Sequence, residues 1–241
     1  MDLFLFILTV TFASFFQGVT GFGSAVIATP IALTFLDKET AVVAFIFSGI
    51  FLNLFLTKTI KESLNKPMFI TLLVFSSLGM PLGVWFLKAL PITTMRIVVG
   101  LLSILFAFAI FKTNRLDLSK VRGIKQAAGF ISGLLQTSTG MSGPPIALFL
   151  TGSNVSKNQF RKVLVSYFLA VNFISLVLFS FADLITIERL GFGLYSIPFI
   201  FVGAHLGNKT AQYIPQKKFR IIALLTVCLT GIFAVYSGLK S

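Results

Sequence analysis

Residues 2–36 form an apolar stretch of 35 residues, broken once by Gln17-Gly18-Val19-Thr20-Gly21-Phe22-Gly23-Ser24. As one continuous helix it would run about 52 Å, too long for a single crossing of an apolar layer about 30 Å thick and short for two. Residues 124–152 pose the same difficulty, interrupted by Gln136-Thr137-Ser138-Thr139-Gly140-Met141-Ser142-Gly143-Pro144-Pro145. Each stretch is therefore expected to be a hairpin of two short helices meeting at a polar, glycine-rich tip. At membrane depth such irregular backbone survives only inside protein or along a wet cavity. The other long apolar segments, 41–57, 67–87, 95–111, 160–180, 190–208 and 219–238, have the length of ordinary spans.

Composition agrees that the solvent is lipid. The hydrophobic class makes up 56% of the chain and charged residues 11%, against about 25% charge in a soluble domain. The fold class expected is an all-α polytopic membrane protein. The N-terminus does not read as a signal peptide, since Asp2 stands in place of a basic n-region and no small-residue cleavage site follows. A single Cys (Cys228) and a single His (His205) exclude a disulfide framework, a Cys/His metal cluster and a Cys–His nucleophile pair. No span carries an acidic residue deep inside, so carboxylate-mediated proton coupling has no obvious agent. Without acid–base or metal-ligand constellations, neither an enzyme nor a cofactor or metal is expected.

The net charge of +13 would suggest nucleic acid in a soluble protein, but here it reports orientation. If each hairpin enters and leaves on one face, fifteen Lys/Arg fall on one side and five on the other. If each broken segment crosses once, the division is ten and ten. Because the cytoplasmic side carries the Lys/Arg excess, the hairpin topology is preferred. It puts both termini outside, the basic linker 113–123 in the cytoplasm, and Trp85 and Tyr236 near the outer interface. No nucleic-acid partner is needed; the lipid bilayer is the partner.

The two halves also repeat each other. Gln17, Thr20, Gly21 and Asn53 return 119 positions later as Gln136, Thr139, Gly140 and Asn172. Pro30-Ile31-Ala32-Leu33 returns as Pro145-Ile146-Ala147-Leu148, and Gly79, Gly83, Pro91 and Arg96 return 124 positions later as Gly203, Gly207, Pro215 and Arg220. Ordered matches of Gln, Asn, Pro and Arg do not arise from apolar composition alone. Each repeat, 1–112 and 124–241, would hold five membrane elements. An odd number inverts the second copy. Inverted repeats with broken helices are a transporter pattern, with the site near the midplane where the broken helices meet.

Each tip would begin a short helix with free N–H groups and the positive end of a dipole, capped by Ser24 or Gly23 in one and Ser142 or Gly143 in the other. Pro144 and Pro145 fall in a first turn, where proline costs little. Gly21, Gly23, Gly140 and Gly143 permit close backbone approach, and Gln17, Thr20, Ser24, Gln136, Thr137, Ser138, Thr139 and Ser142 add neutral donors. This set favours a small anion as solute. Asn53 and Asn172 either line the pathway or join helices. His205, Cys228 and the Arg161-Lys162 pair read as packing or positive-inside residues, and the glycines at 79, 83, 203 and 207 as helix-crossing faces.

On these tips, on Pro30 and Pro145, and on the Gly79–Arg96 and Gly203–Arg220 patterns, the sequence resembles the sulfite exporter TauE/SafE family of bacterial membrane permeases, over nearly its whole length. The resemblance implies a duplicated polytopic fold in the bacterial inner membrane and transport of sulfite, sulfonates or similar small sulfur anions. Gln17-Gly18-Val19-Thr20-Gly21 departs from the family's usual small and aliphatic residues followed by three glycines, and Ser24 stands where another glycine is common. Those departures alter the donors at the tip and bear on the substrate. A permease working by alternating access is the leading expectation. A passive anion channel and a non-transporting assembly factor are the alternatives, and the oligomeric state stays open, a homodimer included.

Overall fold

A computed structural model describes residues 1–112, 121–153, 155–210, 213, 229 and 231–240. The described residues are helical, without a strand, and nine helices span α1 (Asp2–Thr20), α2 (Ser24–Ala32), α3 (Lys38–Thr59), α4 (Lys66–Ala89), α5 (Ile92–Lys112), α6 (Ile124–Thr139), α7 (Gly143–Thr151), α8 (Lys157–Phe181) and α9 (Ile187–Thr210). Residues 231–240 add a further helical stretch. Most of the expected 219–238 span, with Arg220 and Cys228, lies outside the described residues. Five helices, α1, α3, α4, α8 and α9, are long and apolar enough to cross a membrane. Large apolar side chains such as Trp85, Leu78, Phe181 and Leu194 are exposed on them. In water that exposure would be costly, so the chain is a multi-pass membrane protein.

Local sequence sets the helix ends. Asp37 and Ser156 cap α3 and α8 by accepting from the backbone N–H groups of Thr40 (2.9 Å) and Gln159 (3.2 Å). Asn65 does the same for α4, which has Pro67 in its first turn. Gly21 and Gly140 stop α1 and α6 in the left-handed conformation, and their N–H groups bond the carbonyls of Gln17 and Gln136 at 2.7 and 2.9 Å. The expected pair of short helices is thus unequal. α1 and α6 have 19 and 16 residues, whereas α2 and α7 have nine each. Near 1.5 Å per residue, α1 alone reaches about 28 Å.

α3 is the most enclosed of the five long helices. Around it and α8, α4 lies against α6 and α1 against α9, at glycine contacts that recur in pairs. A methyl group on Gly79 or Gly83 of α4 would strike the carbonyls of Phe130 or Leu134 of α6. One on Gly203 or Gly207 of α9 would strike those of Thr11 or Phe15 of α1. Such backbone contact lets van der Waals packing hold helices together where lipid removes the hydrophobic drive. Gly100 of α5 and Gly231 meet in the same way.

Charged side chains tie the loops at the two ends. Lys38 Nζ donates to the Lys88 and Leu90 carbonyls, Lys88 Nζ to Ala182, and Arg189 to Leu184 and to Glu39 at 3.5 Å. At the opposite end, Lys162 Nζ donates to the carbonyls of Thr57 and Ile60. Arg96 on α5 donates to the Leu33 carbonyl just past α2, placing a cation at the negative end of that helix.

Candidate functional site

Both interrupted segments converge on one small cavity. Its wall takes Gln17 and Gly23–Val26 from the first segment and Gln136, Gly140, Ser142 and Gly143 from the second. Phe45, Gly49 and Asn53 come from α3, and Phe168 and Asn172 from α8. None of these side chains is ionisable. The two turns come close enough that a methyl on Gly143 would stand 3.9 Å from the Phe22 ring.

The polar wall is built from two glutamine–asparagine pairs. Gln17 Nε2 donates to Asn53 Oδ1 at 2.7 Å, and Gln136 Nε2 to Asn172 Oδ1 at 2.8 Å. In both the partners are 36 positions apart. In the first pair every polar side-chain atom has a protein partner. Asn53 Nδ2 donates to the Gly49 carbonyl at 2.6 Å, which turns Oδ1 towards Gln17, and Gln17 Oε1 accepts from the Ser24 hydroxyl. The second pair leaves polar edges open. Asn172 Nδ2, Gln136 Oε1 and the Ser142 hydroxyl have no protein partner among the described residues, and all three residues line the cavity. Asn172 Nδ2 stands 2.7 Å from where a methyl on Gly49 would sit, so only glycine leaves room for it there.

Backbone donors are also unequal. α2 starts at the cavity, and helix geometry leaves the N–H groups of Ser24, Ala25 and Val26 without intrahelical acceptors. Gly23 before them is left-handed with φ 96° and makes no side-chain cap. α7 starts there too, but Pro144 and Pro145 supply no N–H, leaving Gly143 as the donor of its first three residues.

Of the residues singled out in the sequence, Gln17, Gly23, Ser24, Gln136, Gly140, Ser142, Gly143, Asn53 and Asn172 meet at this cavity. Thr20, Gly21, Thr137, Ser138 and Thr139 do not line it. The Thr20 hydroxyl lies against the carbonyls of Phe16 and Phe22 (2.8 and 2.5 Å), while Ser138 and Thr139 bond Leu134 and Leu135 one turn back, both at 2.8 Å. Thr20 and Thr139 also accept from the N–H two residues on, each at 3.2 Å, so they brace the turns. Thr137 donates across to Met80 of α4 at 2.6 Å.

Gly21 faces Arg161. That guanidinium reaches from α8 to the Gly18 carbonyl at 2.9 Å and to Asn208 of α9 at 3.0 Å, and its Nε is buried without a partner. Arg161 therefore does more than mark a membrane face: it holds the end of α1. His205 is exposed on α9, away from the cavity. Phe45 and Phe168 carry no sequence signal that sets them apart among 29 Phe. Gly49 had a readable signal in its spacing one turn before Asn53.

Among the described residues no group of His, Cys, Asp and Glu is placed to hold a metal. A profile of the sulfite exporter TauE/SafE family matches residues 6–234. The chain belongs to that family. No curated protein and no solved structure matches it. Membership makes it a membrane permease, and the TauE/SafE match takes in both interrupted segments, α3, α8 and every residue of the cavity wall.

Proposed function

We propose that the chain carries a small anion, a sulfur oxyanion or an organosulfonate, by alternating access between two inverted halves, 1–112 and 124–241, joined by a cytoplasmic linker. The observation that carries this reading is the cavity between the two interrupted segments, walled by neutral donors and entered by the N-terminus of α2. A helix N-terminus contributes up to about 2 kcal/mol to a buried anion, and each hydrogen bond to a charged group about 1.5–3 kcal/mol. Millimolar to micromolar binding needs about 4–8 kcal/mol. Two or three donors at the dipole end suffice, and a neutral wall leaves release easy.

The inverted arrangement draws support from contacts that recur with the sequence repeat. The two Gln–Asn pairs stand 119 positions apart, and Gly79/Gly83 of α4 packed against α6 answer to Gly203/Gly207 of α9 packed against α1. The Lys/Arg distribution supports placing both termini outside in a bacterial inner membrane. Gln17, Ser24, Gln136, Ser142, Asn53 and Asn172, with the glycines at 23, 140 and 143, would surround the solute. Thr20, Gly21, Thr137, Ser138 and Thr139 would shape the turns behind them.

The test is a thermal-shift and binding screen of the purified chain against sulfite, sulfate, thiosulfate, sulfonates and carboxylates. Stabilisation by sulfur anions is expected; stabilisation by carboxylates or cations alone overturns the reading. In proteoliposomes a carrier gives saturable uptake with counterflow, and linear, non-saturating flux would exclude one.

A further inference from the structure

Behind the second turn lies a buried hydroxyl chain that is not part of the cavity wall. Tyr167 of α8 is fully buried, and its hydroxyl sits between Ser132 of α6, at 2.7 Å, and Ser76 of α4. Ser132 Oγ donates to the Ser142 carbonyl at 2.6 Å. Counting protons fixes the direction, because each hydroxyl has one and a carbonyl can only accept. Ser132 spends its proton on Ser142, so Tyr167 donates to Ser132. Ser76 is then left to donate to Tyr167 or to the nearby carbonyls of Leu72 and Gly129.

The first turn has no such chain. At the positions matching Ser132, Tyr167, Ser142 and Ser76 stand Ala13, Ser48, Gly23 and Ile200, and Ser48 bonds only the Phe45 carbonyl of its own helix.

The peptide bonds here are trans, so a carbonyl and the following N–H point to opposite sides. Holding the Ser142 carbonyl towards Ser132, behind the turn, directs the Gly143 N–H the other way. Ser142 and Gly143 both line the cavity. The N–H so aimed is the one that Pro144 and Pro145 leave at the start of α7. α2 offers three successive N–H groups and needs no such orientation. We propose that Ser76, Tyr167 and Ser132 are positioning residues, which lock the Ser142–Gly143 peptide so that its N–H faces the bound anion. This rests on the anion reading above and assigns the second half of the site to a single oriented backbone donor.

Tyr167→Phe keeps the ring and removes the proton. In the purified full-length chain, deuterium exchange would be followed at Met141, Ser142, Gly143 and Ile146, with Phe22–Val26 of the first turn as reference. Sulfite affinity would be measured in parallel. Exchange should rise at the second turn alone, and sulfite should bind about tenfold more weakly, the loss of one well-aimed bond to a charge. Ser132→Ala should reproduce both effects and Ser48→Ala neither. Unchanged exchange at the second turn in both variants, or an equal rise at both turns, overturns the proposal. If the unaltered chain binds sulfite and both variants bind it equally well, the positioning role falls and the transport reading stands. If the unaltered chain binds none of the anions in the screen, the transport reading falls and takes this proposal with it.

Discussion

Replacing Asn172 by Asp asks directly what charge the cargo carries. The substituted side chain has the same shape and can still accept the bond that Gln136 Nε2 makes to Oδ1 at 2.8 Å, so the contact between α6 and α8 is kept. What changes is the open edge. An amide NH₂ with no protein partner becomes an oxygen that can carry negative charge. A bound anion then loses a hydrogen bond of about 1.5–3 kcal/mol. It also meets a repulsion of about 4 kcal/mol at about 4 Å for an effective dielectric near 20.

The carboxyl can escape that repulsion by taking up a proton, at about 1.36 kcal/mol for each pH unit above its pKa. From an ordinary carboxyl value near 4 the cost is about 4 kcal/mol at pH 7. The expected loss at pH 7 is therefore up to about 4 kcal/mol, roughly 1,000-fold in affinity. Because binding now takes up a proton, acidification restores it, by about tenfold per pH unit. The assay is binding or counterflow of a sulfonate, whose own charge is constant over the range, measured across pH on the substituted and unaltered chains. Equal affinity at pH 7, or a gain in cation binding, would refute an anion bound beside Asn172.

Other consequences follow from the packing. Gly83→Ala and Gly207→Ala should each lower the thermal midpoint in detergent, at a cost of about 1–3 kcal/mol, because the methyl meets backbone carbonyls that cannot move aside. Gly23→Ala has nothing within 4 Å to strike, so only its φ of 96° is strained, at about 1–2 kcal/mol; uptake assays and melting should show a milder loss. Arg161→Leu frees the Gly18 carbonyl and Asn208 and should cut uptake by about tenfold, and uptake equal to the unaltered chain would show that Arg161 marks only the membrane face.

Burial alone would raise the pKa of Asp37, but hydrogen bonds from Thr40, contact with Glu39 and the charge of Arg189 outweigh it and lower the pKa. Its stabilisation is therefore full above about pH 4 and is lost as pH falls through the lowered value. Melting should fall with pH below about pH 4 in the unaltered chain, and the fall should be shallower in Asp37→Asn, which keeps a neutral cap.

The architecture was legible wherever a residue's chemistry conflicts with lipid. Gln17 and Gln136 inside apolar runs, and Asn53 and Asn172 inside full spans, need partners, and they find each other. The glycines at 21 and 140 end helices as their backbone freedom allows. The hydroxyls deceived for a physical reason: Ser and Thr in a last helical turn can return their proton to the carbonyl one turn back, as Ser138 and Thr139 do. Donor-rich sequence is then not donor-rich surface. Phe45 and Phe168 were unreadable because their role comes from facing a gap, which only the crossing of α3 and α8 creates. Tyr167 was hidden because its partners, Ser76 and Ser132, are 91 and 35 positions away.

The exchange of partners across the halves has a consequence for synthesis. α1 is made first, but the helix whose Gly203 and Gly207 cover it is the ninth, completed some 190 residues later. At about 5–20 residues per second the first helix waits roughly 10–40 s for its neighbour. Through that interval Gln17 and the turn after it have no finished site to enter. A chain released after α5 would lack α6 and α9 together, leaving α1 and α4 both uncovered, so the smallest unit able to close its own packing is nearly the whole chain.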